Sequence, residues 1–263
     1  MKRRMYNILQ PDGKAFIVAV DQGYGGTCLP GLKDTADVLS KCVDGGADGF
    51  LTSIGIAMNF KDSIKHKTLL LRADGGITHL NVNGTPFQLI NHVEDAIKVG
   101  ADAILTMDFP GSTHEEVTAN NLGQLDREGL EWNFPIGAET LPRGFEFDKF
   151  TDIRTPQNLI DAARIGCERG ADFIKTHYTG DKVTFKELCD SCFQPVFMLG
   201  GNPTNDFEKF FQEISDALDA GAAGVIVGRN VWKHPTPDKI CSAIAAIVHK
   251  GASTNEALEI LNR

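Results

Sequence analysis

No apolar run in this 263-residue chain approaches the roughly 18 residues that a membrane-spanning helix needs, so no membrane span or membrane partner is expected. Positive charge is just as scarce. After Met1-Lys-Arg-Arg there is no further Lys/Arg block, and the net charge of −9 argues against a broad nucleic-acid surface. The basic start leads into Met5-Tyr-Asn-Ile-Leu-Gln-Pro11 rather than a long apolar core. No signal peptide is therefore read, and a cytoplasmic location is expected. The cysteines (Cys28, Cys42, Cys167, Cys189, Cys192 and Cys241) are few and scattered, as suits a reduced compartment. Cys189-x-x-Cys192 lacks the second pair or nearby His pair that zinc requires, and two thiols one turn apart near a helix end read as packing residues. No linker or low-complexity segment interrupts the chain, so residues 1–263 are expected to form one domain.

With 42% hydrophobic and 23% charged residues, the composition is that of a globular protein. One pattern recurs. Gly46-Ala-Asp-Gly-Phe-Leu-Thr, Gly100-Ala-Asp-Ala-Ile-Leu-Thr, Gly170-Ala-Asp-Phe-Ile-Lys-Thr and Gly221-Ala-Ala-Gly-Val-Ile-Val each follow an amphipathic stretch. The glycine reads as a left-handed helix cap, and the small residues as a tight turn into a buried parallel strand. Repeats roughly 50–70 residues apart mark every second strand of a βα series. Between them lie Phe16–Asp21, Thr68–Asp74, Phe134–Thr140 and Val196–Gly200, which completes eight strands. Helical periodicity predicts helices over Leu32–Val43, Phe87–Val99, Glu115–Trp132, Gln157–Arg169, Phe185–Ser191, Phe207–Ala220 and Ile240–His249, with a weaker one near Ile56–His66. Asp206 reads as the N-cap of the helix that starts at Phe207. Eight βα units in this length predict a (β/α)8 TIM barrel. The rival doubly wound sheet lacks a Gly-x-Gly-x-x-Gly after its first strand.

In such a barrel, chemistry gathers at the C-terminal strand ends. Those ends read Asp21-Gln-Gly, Arg72-Ala-Asp74-Gly-Gly, Asp108-Phe-Pro-Gly-Ser, Glu139-Thr-Leu-Pro-Arg143-Gly, Lys175-Thr-His177, Gly200-Gly201-Asn and Gly228-Arg229-Asn. Lys175, at the end of an apolar run, is the most informative. A buried ammonium needs compensation, while a neutral amine there is a nucleophile able to form a Schiff base. The bland alternative is a lysine snorkelling toward a carboxylate. Glycines after strands seven and eight allow backbone N–H groups to approach a phosphate, so Gly200, Gly201, Gly228 and Arg229 are read as a phosphate site, with two ordinary βα turns as the alternative. Glu139 needs a partner, either Lys175 or Arg143. Arg72 and Asp74 either line the mouth or form a surface ion pair, and Tyr24 is within reach of substrate.

The run Phe-Ile-Lys175-Thr-His-Tyr-Thr-Gly-Asp resembles the Schiff-base segment of class I aldolases of the DeoC/LacD/archaeal fructose-bisphosphate aldolase superfamily. Val-Ala-Val-Asp21-Gln-Gly resembles its first-strand Asp motif. Met198-Leu-Gly-Gly, Val227-Gly-Arg-Asn-Val-Trp232 and Ile247-Val-His249 resemble its phosphate segments and last helix, so the similarity covers nearly the whole chain. The resemblance implies aldol cleavage or condensation of a phosphorylated ketose with a dihydroxyacetone-phosphate-type donor. It also implies no metal or cofactor, and a homo-oligomer. Lys175 matches the Schiff-base lysine, and Asp21 the residue assisting its proton transfers. The fifth strand departs from the pattern. Where fructose-bisphosphate aldolases carry a Trp-x-Tyr-Pro-Arg-Gly type sequence, this chain reads Glu139-Thr-Leu141-Pro-Arg-Gly, and leucine moves no proton. Glu139, His177 and, more distantly, Asp108 are the candidate replacements. His177, two residues beyond Lys175, shares its face if the strand continues; otherwise it is a loop histidine. Two rivals stand beside the aldolase: a lysine-dependent acyl or ketol transferase of the same superfamily, and a non-catalytic sugar-phosphate-binding barrel.

Overall fold

The computed structural model describes residues 1–26, 30–75, 78–80 and 87–263. Cys28 and the Gly76 of the third strand end lie outside the described residues. Eight parallel strands, β1 (Ala15–Ala19), β2 (Gly49–Thr52), β3 (Thr68–Arg72), β4 (Ala103–Asp108), β5 (Ile136–Thr140), β6 (Phe173–Thr176), β7 (Val196–Leu199) and β8 (Gly224–Val227), close into a barrel. β1 pairs with both β2 and β8, so the barrel has no free edge. Around it lie α1 (Thr35–Asp44), α2 (Ile54–Asn59), α3 (Val93–Lys98), α4 (Glu115–Glu131), α5 (Pro156–Glu168), α6 (Lys182–Ser191), α7 (Phe207–Asp219), α8 (Pro237–Lys250) and α9 (Thr254–Asn262). No described helix is long and apolar enough to cross a membrane.

The recurring glycine motif does what its chemistry implies. Gly46, Gly100, Gly170 and Gly221 take φ of 96°, 77°, 98° and 110°. In each case the next residue's N–H (Ala47, Ala101, Ala171, Ala222) returns to the carbonyl five residues back, closing the same cap four times. The aspartates that follow add a second fastening. Asp48, Asp102 and Asp172 accept the N–H groups of Phe16, Leu69 and Ile136 at 2.7, 3.1 and 2.8 Å, so each ties its own strand entrance to its neighbour's.

Strand parity then sorts the side chains. One parity, Ile17, Leu51, Leu70, Leu105, Phe173, Phe197 and Ile226, fills the barrel interior. The other, including Phe16, Phe50, Leu71, Ile104, Ile174 and Val225, packs against the helices. Each such buried side chain stabilises by about 1.5–3 kcal/mol. Phe173 and Phe197 meet edge to face with centroids 5.7 Å apart. A Cβ on Gly137 would lie 2.3 Å from the Phe173 ring, so the missing side chain on β5 is what admits that ring.

Three elements depart from the sequence expectation. The helix expected over Phe87–Val99 begins only at Val93, where Asp95 caps the His92 N–H at 2.9 Å. Its first part instead crosses the barrel mouth: Gln88–Leu89 pairs antiparallel with Asp74–Gly75, and Ile90 and Asn91 both donate to the Ala73 carbonyl. The helix near Ile56–His66 is broken at Phe60 into α2 and the turn Lys61–Ile64. Periodicity also stopped short of α9, although Ser253 and Glu256 form a reciprocal capping box.

At the end of the barrel opposite the strand C-termini, His249 of α8 bridges Asp12 through Nδ1 and Asp48 through Nε2, both at 2.8 Å. The hydrogen bond it donates to Asp48 raises the imidazole above its ordinary value, against burial, with Asp12 adding to the rise. A raised folded-state value means that the stabilisation is complete below the unfolded value of about 6.5 and is lost as pH rises through the folded one. Replacing His249 with Asn is expected to cost about 1–3 kcal/mol at pH 6 and markedly less at pH 9. Urea unfolding of both proteins at the two pH values checks this, and an equal loss at both would refute it.

Candidate active site

The inward parity continues past the strand ends, and there it changes from apolar to charged. Asp21, Arg72, Asp74, Glu139, Lys175 and His177 line one cavity of about 340 Å³ with Gly201 and Arg229. That volume is at the lower end for small-molecule sites. Lys175 is 5% exposed. The β5–β6 register sets it opposite Glu139, and its Nζ lies 2.9 Å from Glu139 Oε2.

Arg72, at the end of β3, holds this floor together. Its Nε donates to Asp21 at 2.7 Å, its Nη2 to Glu139 at 2.5 Å, and its Nη1 reaches Asp74 at 3.5 Å. The surface ion pair considered for Arg72 and Asp74 is excluded, since both are buried. Burial pushes Glu139 toward its neutral form, but Lys175 and Arg72 outweigh it and hold the carboxyl down at about 2. Asp74 moves the other way: burial raises it despite Arg72 and a 2.8 Å hydrogen bond from the Met107 N–H. Glu139's partners are Lys175 and Arg72, not Arg143, which turns outward to the Gly111 carbonyl and Asp152.

Asp108 is the clearest correction. It has the outward parity of β4 and pairs with Arg169 at 2.6 Å between barrel and helices, where burial lifts it to about 6. It cannot replace the missing tyrosine. His177 can reach the site: it lies just beyond β6 and lines the cavity with Lys175. Because Glu139 faces Lys175, extending the register by two residues sets Leu141 beside His177 in the next layer up. Burial first, then the positive charge of Arg154, pushes His177 down to about 4, so its imidazole is neutral at physiological pH. Tyr24 also lines the cavity, with its hydroxyl oxygen accepting from the Ile54 N–H and Asn91 Nδ2 at 3.1 and 3.0 Å.

After β7 and β8 the expected glycine loops stand side by side. Gly201 and Arg229 line the cavity, and Arg229 Nη2 donates to the Gly201 carbonyl at 3.0 Å. Gly200 and Gly228, expected with them, do not line the cavity. A Cβ on Gly228 would fall 2.6 Å from the Ala19 carbonyl oxygen, so only glycine lets β8 leave alongside β1. Asn230, part of the eighth-strand segment but with no role expected from sequence, clamps the pair by donating to Gly200 O at 2.6 Å and accepting the Thr204 N–H at 2.9 Å. Gln22, Gly25 and Gly75 also line the cavity, and the rest of its wall is apolar, formed by Phe87, Met107, Leu141, Phe145 and Leu199.

The profile of the DeoC/LacD family aldolases matches residues 15–234. The chain belongs to this family. Among its relatives, a fructose-bisphosphate aldolase class 1 of Thermoproteus tenax is 33% identical, over 99% of this chain and 99% of that protein. A 2-amino-3,7-dideoxy-D-threo-hept-6-ulosonate synthase of Halobacterium salinarum is 34% identical, over 98% of this chain and 95% of that one. A solved Schiff base forming fructose-1,6-bisphosphate aldolase superposes with a TM-score of 0.85 at 32% identity, covering 94% of this chain and 99% of that one.

Arg72 is the organising residue of this floor, beyond the mouth-lining or surface-pair role expected from sequence. The signal available was an arginine ending the run Thr-Leu-Leu-Leu-Arg, where a lone cation demands carboxylates. Removing it leaves three carboxylates facing one lysine. Arg72→Met is expected to destabilise by about 3–5 kcal/mol in urea unfolding. A loss below 1 kcal/mol would show that the network does not depend on Arg72.

Proposed function

We propose that the protein is a Schiff-base aldolase cleaving, and reversibly forming, a phosphorylated ketose with a dihydroxyacetone-phosphate-type donor half. The observation that carries this reading is the buried Lys175 amine, 2.9 Å from the Glu139 carboxylate at the mouth of the barrel. Lys175 sheds its proton to water before its nitrogen attacks the ketone, while Glu139, held anionic, keeps the amine in place 2.9 Å away. The carbinolamine loses water to give an iminium cation, which the same carboxylate stabilises. Asp21, on the other side of Arg72, assists those proton transfers. The iminium then draws in the electrons of the breaking C–C bond while neutral His177 accepts the proton of the substrate hydroxyl, and the aldehyde leaves. Protonation of the enamine and hydrolysis of the iminium return free Lys175. The donor phosphate lies against Arg229 and the backbone N–H groups of the Gly200-Gly201 and Gly228-Arg229 turns.

A second reading, lysine-dependent transfer, is favoured by Leu141 at the position of the family tyrosine. Product analysis with and without an acceptor separates the two.

Borohydride reduction in the presence of dihydroxyacetone phosphate is expected to leave a covalent adduct that mass spectrometry maps to Lys175 and that Lys175→Ala lacks. No adduct with any of a panel of ketose phosphates would sink the aldolase reading. His177→Gln is expected to keep the adduct but lower kcat for cleavage by about 10²–10⁴-fold. In the wild type, the acid limb of kcat/KM is expected near pH 4, where His177 gains its proton, rather than near pH 6.5. Since the iminium is itself the electron sink, the proposed cycle uses no metal. Dialysis against EDTA is expected to leave the rate unchanged, and a loss restored by a divalent cation would count against this cycle.

A further inference from the structure

Building on the aldolase reading, we propose that the substrate carries one phosphate only and that its aldehyde half is apolar. Gly201 and Arg229 belong to the β7 and β8 ends. β4 lies four places from β8 around the closed barrel, so the side of the cavity opposite those loops is built from the β3–β5 ends. Beside the mutually ion-paired Arg72, Asp74 and Glu139, that side presents Phe87, Met107, Leu141 and Phe145. Phe87 and Phe145 are backed by the buried Phe109, with ring centroids 4.9 and 5.5 Å away. Phe145 is nevertheless 50% exposed, so the aromatic surface is available to a ligand.

A second phosphate on this side would lose hydration with no cation among the lining residues free to receive it. The cavity has three cationic side chains among the described residues: Arg229 at the glycine loops, Lys175 as the nucleophile, and Arg72. Arg72 is engaged by Asp21, Asp74 and Glu139. Neither arginine of the segment after β5 lines the cavity, although the charge of Arg154 is felt at His177. Arg143 bonds Gly111 and Asp152, and Arg154 bonds the carbonyls of Pro142 and Gly144. Stretches 27–29, 76–77 and 81–86 contain no Lys or Arg in sequence. An alkyl or aryl group gains from the same wall what a phosphate loses there, since one methylene in an apolar pocket is worth about tenfold or more in kcat/KM.

The test is condensation of dihydroxyacetone phosphate with propanal, butanal, benzaldehyde and glyceraldehyde 3-phosphate, following kcat/KM for each. The expected result is that butanal and benzaldehyde exceed glyceraldehyde 3-phosphate by about tenfold or more. In the Phe145→Arg variant, which places a cation on the wall, that ratio is expected to fall or invert. A wild-type preference for glyceraldehyde 3-phosphate overturns the proposal, as does an absence of turnover with the apolar aldehydes. Borohydride trapping with the donor alone keeps the two readings apart. An adduct on Lys175 together with either of those outcomes removes only the apolar-aldehyde proposal, whereas failure to form any adduct removes the aldolase reading and this proposal together.

Discussion

Everything at the mouth of this barrel depends on one guanidinium. Asp21, Asp74 and Glu139 come from three different strand ends and converge with their carboxylates largely buried at the floor of the cavity. Three carboxylates cannot share such a space unless cations face them, and Arg72 meets all three with a planar fork that a lysine could not reproduce. With Glu139 held by Arg72, its oxygen is fixed 2.9 Å from the amine of Lys175. The lysine is thereby kept off the barrel wall and turned toward its carboxylate. The position of the Lys175 amine is an electrostatic consequence of a residue two strands away from Glu139 in the barrel order.

The scaffold can carry this charge because the rest of it is so thoroughly sorted by parity. Below the polar layer, Phe173 and Phe197 close the interior, and Gly137 yields its side-chain volume to the first of them. Below that, Met5 and Ile8 of the chain's first helical turn fill the opposite end. Interior packing and mouth chemistry therefore alternate along the same strands: Phe173 and Lys175 are two residues apart on β6, as are Gly137 and Glu139 on β5. A register slip of one residue would exchange the charged floor for Thr140 and Thr176, which face the helices.

The barrel was legible because its signals are local. Four glycine caps with identical hydrogen bonding, and eight apolar runs of strand length, are properties of short segments. Lys175, Asp21, Glu139 and His177 could be placed at strand ends for the same reason. What sequence could not show was pairing across the barrel. Glu139 was offered Arg143, four residues on, because nothing local points to Arg72, 67 residues earlier. Asp108 looked available because its parity depends on where β4 begins, and a shift of one residue sends its carboxylate outward to Arg169. The segment from Phe87 was read as helix because its apolar spacing is helical, whereas tertiary contact with Phe109 and pairing with Asp74–Gly75 draw it across the mouth. Local propensity loses wherever a long-range partner supplies both hydrogen bonds and burial.

Leu141 ties the two unusual properties of the site together. At the fifth-strand position where the family's fructose-bisphosphate aldolases have tyrosine, this chain loses a proton carrier and gains apolar surface in a single residue. The loss is local, and the register sets His177 in the same layer on the adjacent strand. Burial and the nearby positive charge of Arg154 keep that imidazole neutral, hence able to accept a proton, at any pH well above 4. The gain is also local, because Leu141 packs with Phe109 and Leu199 and with the flanking Phe87 and Met107 into one hydrophobic patch. A tyrosine there would place a hydroxyl in that patch and demand a partner for it, at a cost of a few kcal/mol if none were found. In the proposed cycle, moving the proton chemistry to β6 and making the β5 side apolar are thus coupled, since Leu141 leaves no hydroxyl to be partnered and His177 stands ready beside it.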